Sequence, residues 1–361
     1  MNIQTTVVGS YPTPIWLRAF SSRDNLRDAM LVVLKTQELA GIDVVADGEL
    51  YRWNINHGET NGMIDYFVKR LDGVQTELSA NQLGRWRGKN GMSFRASPPG
   101  VVTGPLGPGT LDLRADYELF RELTPRPKKF TVTSPYMLAK TLLDEHYGDI
   151  EAVVMAIADV LAEQIADLPV EVLQIDEANV TGNPDDSPMA AAGINRILNM
   201  FHGERAVHLC YGNYGGQTIQ QGTYDKLLAF FNSLEVDYFV LELARRPEGE
   251  LSMLADINRE IGLGIGVIDI KDVVVETPEL VARRIENAAA VLGIDRIRYV
   301  HPDCGFWMLP RTVADAKMKA LVAGRDLFLG LDGEDRANQA TSTRTERTLA
   351  RSNGIAVKER G

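Results

Sequence analysis

Cysteine is nearly missing from this chain. Its 361 residues hold two, Cys210 and Cys304, far apart in sequence. Two such thiols cannot make a disulfide framework, so the fold must rest on a packed core, and with 45 % hydrophobic residues the chain can build one. Basic charge is also in deficit. The formal net charge of −11 argues against nucleic acid as a partner, because tracking a phosphate backbone needs a lysine and arginine surplus. It leaves small substrates open, since a local basic pocket can sit in an acidic protein. No apolar run approaches the roughly 20 residues that cross a bilayer. The opening "MNIQTTVVGSYPTP" lacks a charged start followed by a long apolar stretch, so no signal peptide is expected and a cytoplasmic location is the default. There is no internal repeat and no low-complexity tract.

What is present is a rhythm. Short apolar runs alternate with longer helical patterns: "TTVVGS" (5–10), "IDVVADGE" (42–49), "KFTVTSP" (129–135), "VEVLQIDEA" (170–178), "AVHLCY" (206–211), "YFVLELA" (238–244), "GIGVIDIK" (264–271) and "RIRYVHPDC" (296–304). Helical periodicity follows the first run at 24–41, ending at a glycine, and recurs near 150–167, 187–201, 223–234, 278–292 and 311–323. Eight strand-and-helix units predict an α/β fold, a (β/α)8 TIM barrel. An open doubly wound sheet is the alternative, but no dinucleotide fingerprint supports it.

Residues 72–112 break the rhythm after the second strand unit. They include "GRWRGKNGMSFRASPPGVVTGPLGPG", too long and turn-rich for an ordinary connection. The expectation is an inserted hairpin with loops over one end of the barrel, either a lid or substrate wall or an ornamental loop. One catalytic barrel over 1–335, insert included, and a polar C-terminal extension over 336–361 complete the expected organisation.

In a strand, residues two apart share a side, so His208 and Cys210 face one way and Val207 and Leu209 the other. In a barrel the apolar pair would face the helices and the His–Cys pair the axis, near the C-terminal strand end where such barrels keep their chemistry. Imidazole and thiolate are good zinc ligands, although a lone core cysteine is commonly a small hydrophobe. Glu242 lies in the otherwise apolar "YFVLELA", one strand along. A buried carboxylate needs a partner, either a metal or a cation such as Arg245 or Arg246. Cys304, in "VHPDCG", follows the eighth strand in a turn set by Pro302 and Gly305. His208, Cys210, Glu242 and Cys304 together suit a borderline-soft ion such as zinc. A structural zinc would have four saturated ligands; a catalytic one would keep a displaceable position.

These stretches carry a resemblance. "VVGSYP" (7–12), "DVVADGE" (43–49), "LQIDEA" (173–178), "VHLCY" (207–211), "VLE" (240–242), "GVIDI" (266–270) and "HPDCG" (301–305) occur in the order found in the cobalamin-independent methionine synthase family, in its catalytic C-terminal barrel. The chain resembles the short, single-barrel members. The resemblance implies a zinc-dependent methyltransferase that moves a methyl group from 5-methyltetrahydrofolate, often polyglutamylated, to the thiolate of homocysteine, giving methionine. By position it implies that His208, Cys210, Glu242 and Cys304 bind the zinc, and that Ser10, Glu49 and Asp176 hold the amino-acid part of homocysteine. From the residues alone, Glu49 or Asp176 could instead pair with Arg52 or cap a helix, and Glu177 competes with Asp176 for any one role.

One departure stands out. Where the family carries a histidine after the seventh strand, this chain has Lys271 in "DIKD". A lysine can steer an acidic group or, desolvated, act as the acid, and Asp269 or Asp272 could hold it in a salt bridge. Lys271 and Asp176 are thus the candidate catalytic residues, and Arg95 in "FRASPP" is a candidate substrate-carboxylate contact. The departure keeps open a zinc alkyltransferase resembling epoxyalkane–coenzyme M transferase, and a methylated corrinoid protein as donor. Related metal-free barrels that act on porphyrins are disfavoured by the cysteine placement. The expected partners are a small-molecule thiol and a methyl donor, with a homo-oligomer possible.

Overall fold

The computed structural model describes residues 3–52, 62–87, 95–213, 217–247 and 249–331. Eight strands form one sheet: β1 Gln4–Thr5, β2 Val45–Ala46, β3 Lys128–Thr133, β4 Val172–Glu177, β5 Glu204–Leu209, β6 Tyr238–Leu241, β7 Gly262–Ile268 and β8 Ile297–Pro302. Their order is β1-β8-β7-β6-β5-β4-β3-β2, and every neighbouring pair is parallel. The two outer strands meet through a single parallel bridge, Thr6 to Val44, so the sheet curls into a (β/α)8 barrel whose last seam is not a full ladder. The first two strands are shorter than their apolar runs. Gly48 and Glu49 adopt left-handed backbone (φ 76° and 56°), which ends β2 early.

Alternation along each strand builds two cores. On β4 and β5, Leu173, Ile175, Val207 and Leu209 point outward and join the main core under the helices. Val172, Ala206, Tyr238, Val240 and Tyr299 point inward and form a separate cluster with Val8 and Val44. The helices supply the matching apolar face. Ile150–Ile165 buries Val153, Val154, Ile157, Leu161 and Ile165, at helical spacing. Helix Arg23–Ala40 is capped by Ser22 and ends at Gly41; Pro278–Leu292 starts on Thr277 with proline in its first turn. Among the described residues, no helix is long and apolar enough to cross a membrane.

The seventh strand needs its glycines. A Cβ on Gly266 would overlap Asp303 Oδ1 and lie 2.6 Å from the Leu241 carbonyl oxygen. Backbone cannot yield there as a flexible side-chain tip would. Gly266→Ala should therefore lower stability by about 1–3 kcal/mol, read as a fall in thermal midpoint, with no residue of the metal centre itself altered.

The insert is present, and its described residues contribute two strands of a small separate sheet. Asp72–Gln75 pairs antiparallel with Val101–Gly107, which in turn pairs in parallel with Leu143–Asp144. This small sheet packs against helix Ile150–Ile165, on the flank of the barrel. Trp86 is buried against Val101 and Leu143 and donates from Nε1 to the Arg95 carbonyl. The apolar side chains of the insert thus seal its own satellite core. Its segment 88–94 and the expected extension 336–361 lie outside the described residues.

Candidate metal centre and substrate pocket

His208, Cys210 and Cys304 converge at the C-terminal ends of β5 and β8. One ligating atom from each lies within 4.8 Å of the other two, and the two sulfurs are 4.0 Å apart. His208 is one position from the end of β5, and Cys210 is the first residue beyond it. The His208 Nδ1 lies 2.8 Å from the Val240 carbonyl oxygen, an acceptor only, so Nδ1 carries the proton. That leaves the Nε2 lone pair facing inward, and Nε2 is buried without a hydrogen-bond partner. An oriented, unpartnered imidazole nitrogen beside two thiols is what a metal ion requires, so the residues present fit zinc. The Cys210 hydrogen bond, followed by the His208 ring, pulls the Cys304 thiol well below its ordinary range; the same hydrogen bond and burial push Cys210 up.

Glu242 stands beside this trio but is otherwise engaged. It is 1 % exposed; one carboxylate oxygen forms an ion pair with Lys271, and the other accepts from the Tyr211 N–H at 3.0 Å. Neither Arg245 nor Arg246 is its partner: Arg245 pairs with Asp269, and Arg246 with Glu250. Lys271 correspondingly reaches neither Asp269 nor Asp272 with its ammonium. Asp269 instead accepts the Lys271 backbone N–H at 2.8 Å, fixing the turn that aims the side chain inward. Asp303, beside Cys304, accepts the Leu243 and Ala244 N–H groups at 2.9 Å and so anchors the loop that follows Glu242.

A cavity opens directly above the trio. Its walls include Ser10, Glu49, Asp176, Asn179, His208, Cys210, Cys304 and Gly305, with Met63, Met137 and Trp307 as apolar sides. A Cβ on Gly305 would overlap Ser10 Oγ, so glycine there lets the first and eighth loops meet, and the Phe306 N–H closes that contact on the Ser10 carbonyl at 2.8 Å. Glu49 accepts from Thr131 Oγ1 at 2.6 Å and lies 3.3 Å from an Arg52 nitrogen, so the pairing with Arg52 coexists with a place on the cavity wall. Arg52 is buried beneath aromatic rings, with Phe67 at 5.0 Å the nearest among the described residues. Asp176 accepts from Gln174 Nε2 at 2.7 Å, and Gln174 Oε1 accepts from the buried Lys129 ammonium, also at 2.7 Å. Gln174 Nε2 also donates to the Val8 carbonyl oxygen at 2.9 Å, which can only accept, so the amide orientation of Gln174 is settled and one Asp176 oxygen is held in place. Burial, followed by the nearby Glu49 charge, pushes the Asp176 carboxyl up to about 7.

Other candidates are placed elsewhere. Glu177 is a local cap: it accepts from Ser134 and from the Asn179 and Val180 N–H groups, which removes it as a rival to Asp176. Arg95 donates to both oxygens of Asp65 at 3.2 Å and is not among the described residues lining the cavity, nor is Lys271. Asn179 and Gln220, both on the cavity wall, are not among the residues the sequence singled out. Asn179 follows "QIDEA" directly, and its polar side chain just past a strand end was the available signal; Gln220 had none.

An α/β barrel with a histidine and two thiols gathered at its C-terminal face has the form of a barrel enzyme with a candidate metal site. The comparisons narrow this. Residues 3–325 match the family model described as "Cobalamin-independent synthase, Catalytic domain". The chain is 29 % identical over 342 residues to the methionine synthase of Thermococcus kodakarensis, covering 90 % of this chain and 93 % of that one. It is 29 % identical over 353 residues to that of Pyrococcus abyssi, covering 93 % and 96 %. Among solved structures, a B12-independent methionine synthase from Shewanella sp. W3-18-1, in complex with selenomethionine, superposes with a TM-score of 0.75 at 24 % identity, covering 92 % of this chain and 100 % of that one. A methyltransferase from Methanosarcina mazei gives 0.58 at 14 %, covering 91 % and 94 %. The chain belongs to the cobalamin-independent methionine synthase catalytic-domain family and is an enzyme of the methyl-transferring kind.

Proposed function

We propose that this enzyme transfers the methyl group of a 5-methyltetrahydrofolate to the sulfur of homocysteine, giving methionine, at a zinc ion held by His208, Cys210 and Cys304. The observation that carries this reading is the inward, unpartnered Nε2 of His208 beside two thiols 4.0 Å apart, directly under a cavity walled by two carboxylates. Bound there, zinc would supply a Lewis acid that keeps a substrate thiol deprotonated at neutral pH. Glu49 and Asp176 would receive the ammonium group of the thiol substrate, and Ser10 its polar backbone. In the transfer, the sulfur lone pair forms the new S–C bond as the methyl–nitrogen bond breaks, and the departing nitrogen takes the electron pair and a proton. Met63, Met137 and Trp307 supply an apolar wall beside the reacting sulfur.

The two carboxylates also favour homocysteine over a sulfonate-bearing thiol such as coenzyme M, whose anion they would repel. The test is a substrate screen on zinc-loaded protein, pairing homocysteine and coenzyme M with methylfolates, methylcobalamin and epoxides. Methionine formed from a methylfolate is the expected product. Transfer only from the corrinoid would replace the donor, and transfer only to coenzyme M would overturn the thiol assignment.

A further inference from the structure

Glu49 is the one non-glycine residue with a positive φ among the described residues, at 56°. In that left-handed conformation the Cβ of an L-residue crowds its own backbone, a cost that glycine does not carry. Glycine would therefore suit the position better. But glycine has no carboxylate, and Glu49 stands on the wall of the cavity above the trio. Strain of this kind persists only where the surroundings over-determine it. Here the carboxylate end is held by Thr131 Oγ1 at 2.6 Å and by Arg52. At the backbone end, the Glu49 carbonyl accepts from the Arg52 N–H at 3.0 Å, and the Glu49 N–H donates to Asp47 Oδ1 at 2.7 Å. Among the described residues, Asp47 supplies the only side chain bonded to the Glu49 backbone. Asp47 is 3 % exposed, is not among the described residues lining the cavity, and has its Oδ2 buried without a hydrogen-bond partner. A buried carboxyl left half unmatched is costly, and its one hydrogen bond goes to Glu49.

We propose that Asp47 is a positioning residue: by accepting the Glu49 N–H it holds the strained turn that presents the Glu49 carboxylate to the ammonium group of the thiol substrate. This rests on the thiol assignment above and deepens it. Released from Asp47, Glu49 can relax to a negative φ. That rotation redirects its Cα–Cβ bond and carries the carboxylate away from Thr131 and off the cavity wall. Asp47 does not line the cavity, so its effect on the substrate passes through Glu49. Its charge and its acceptor oxygen are separable. Asparagine keeps the oxygen and drops the charge; leucine has nearly the same shape and keeps neither.

The experiment measures homocysteine binding by calorimetry on the zinc-loaded full chain, and KM and kcat with a methylfolate. It compares the wild type with Asp47→Leu, Asp47→Asn, Glu49→Ala and the double variant Asp47→Leu with Glu49→Ala. Asp47→Leu should weaken homocysteine by about 10-fold, the lower end of what a lost hydrogen bond to a charged group costs. The loss should fall on KM and on the calorimetric affinity, with kcat and zinc content unchanged. Asp47→Asn should bind homocysteine as the wild type does. Asp47→Leu should add nothing to Glu49→Ala, because two residues acting through one contact are not additive. Unchanged affinity in Asp47→Leu would overturn the proposal, whether or not the thermal midpoint falls. So would an equal loss in Asp47→Asn, which would assign the effect to charge, or a full effect of Asp47→Leu on top of Glu49→Ala. If Asp47→Leu does not fold, Asp47→Ala carries the same test, since it removes the acceptor without filling its space. If the wild type does not bind homocysteine, or Glu49→Ala leaves its affinity unchanged, the thiol assignment and this inference fall together, an outcome distinct from the inference failing alone.

Discussion

Cys210→Ser is expected to abolish zinc retention and methyl transfer together. Serine is a poor zinc ligand at neutral pH, because its hydroxyl does not ionise there as a thiol does in contact with the metal. Changing even an outer partner of a metal ligand costs about 10- to 100-fold in affinity, so losing a direct ligand should cost more than about 100-fold. The substitution is nearly isosteric at a site 3 % exposed, and the fold does not depend on a disulfide, so circular dichroism and the thermal midpoint of the metal-free protein should change little. Zinc content by atomic absorption and methionine formation are the two readouts. Transfer that persists with no zinc bound would remove metal activation of the sulfur from the account.

Asp176→Asn should leave zinc in place and weaken the thiol substrate. The carboxylate is held by Gln174 on the cavity wall, with Lys129 behind it, and asparagine keeps the shape while deleting the charge. A hydrogen bond to a charged group contributes roughly 1.5–3 kcal/mol, so kcat/KM for homocysteine should fall by about 10- to 100-fold. Metal content should stay at the wild-type level. The pH dependence has a definite sign. The Asp176 carboxyl is raised to about 7, so it is charged above that pH and takes a proton below it. Affinity of the wild type for the ammonium-bearing thiol should fall as pH drops below about 7, and the variant should show a flatter profile over the same range. Asp176→Asn with unchanged KM and kcat would take the residue out of the pocket assignment.

Much of this site was legible because strands and helices bury different patterns. The inward turn of His208 followed from the apolar pair Val207 and Leu209 on the other side of β5, a strict two-residue period with one face under the helices. Cys304 was readable because a turn after the eighth strand could only present it at the same end of the barrel as Cys210. Glu242 was conspicuous as a carboxylate in an apolar run, but its partner was not. Arg245 and Arg246 are its near neighbours in sequence, whereas the cation that meets it, Lys271, arrives from β7 by parallel packing. Long-range pairing of this kind leaves no local periodicity. The same limit explains the insert. Its turn residues announced an excursion, but not that Trp86, Val101 and Leu143 would gather into a small core of their own. Glu177, next to Asp176, illustrates the strand period again: one acid faces the cavity, and its neighbour turns away to cap Asn179 and Val180.

X-ray absorption at the zinc edge of the purified, zinc-supplied protein tests the central claim most directly. The account predicts one zinc per chain with two sulfur neighbours at roughly 2.3 Å and an imidazole nitrogen at about 2.0–2.1 Å. A zinc environment of oxygen and nitrogen alone, or folded protein that takes up no zinc, would contradict it.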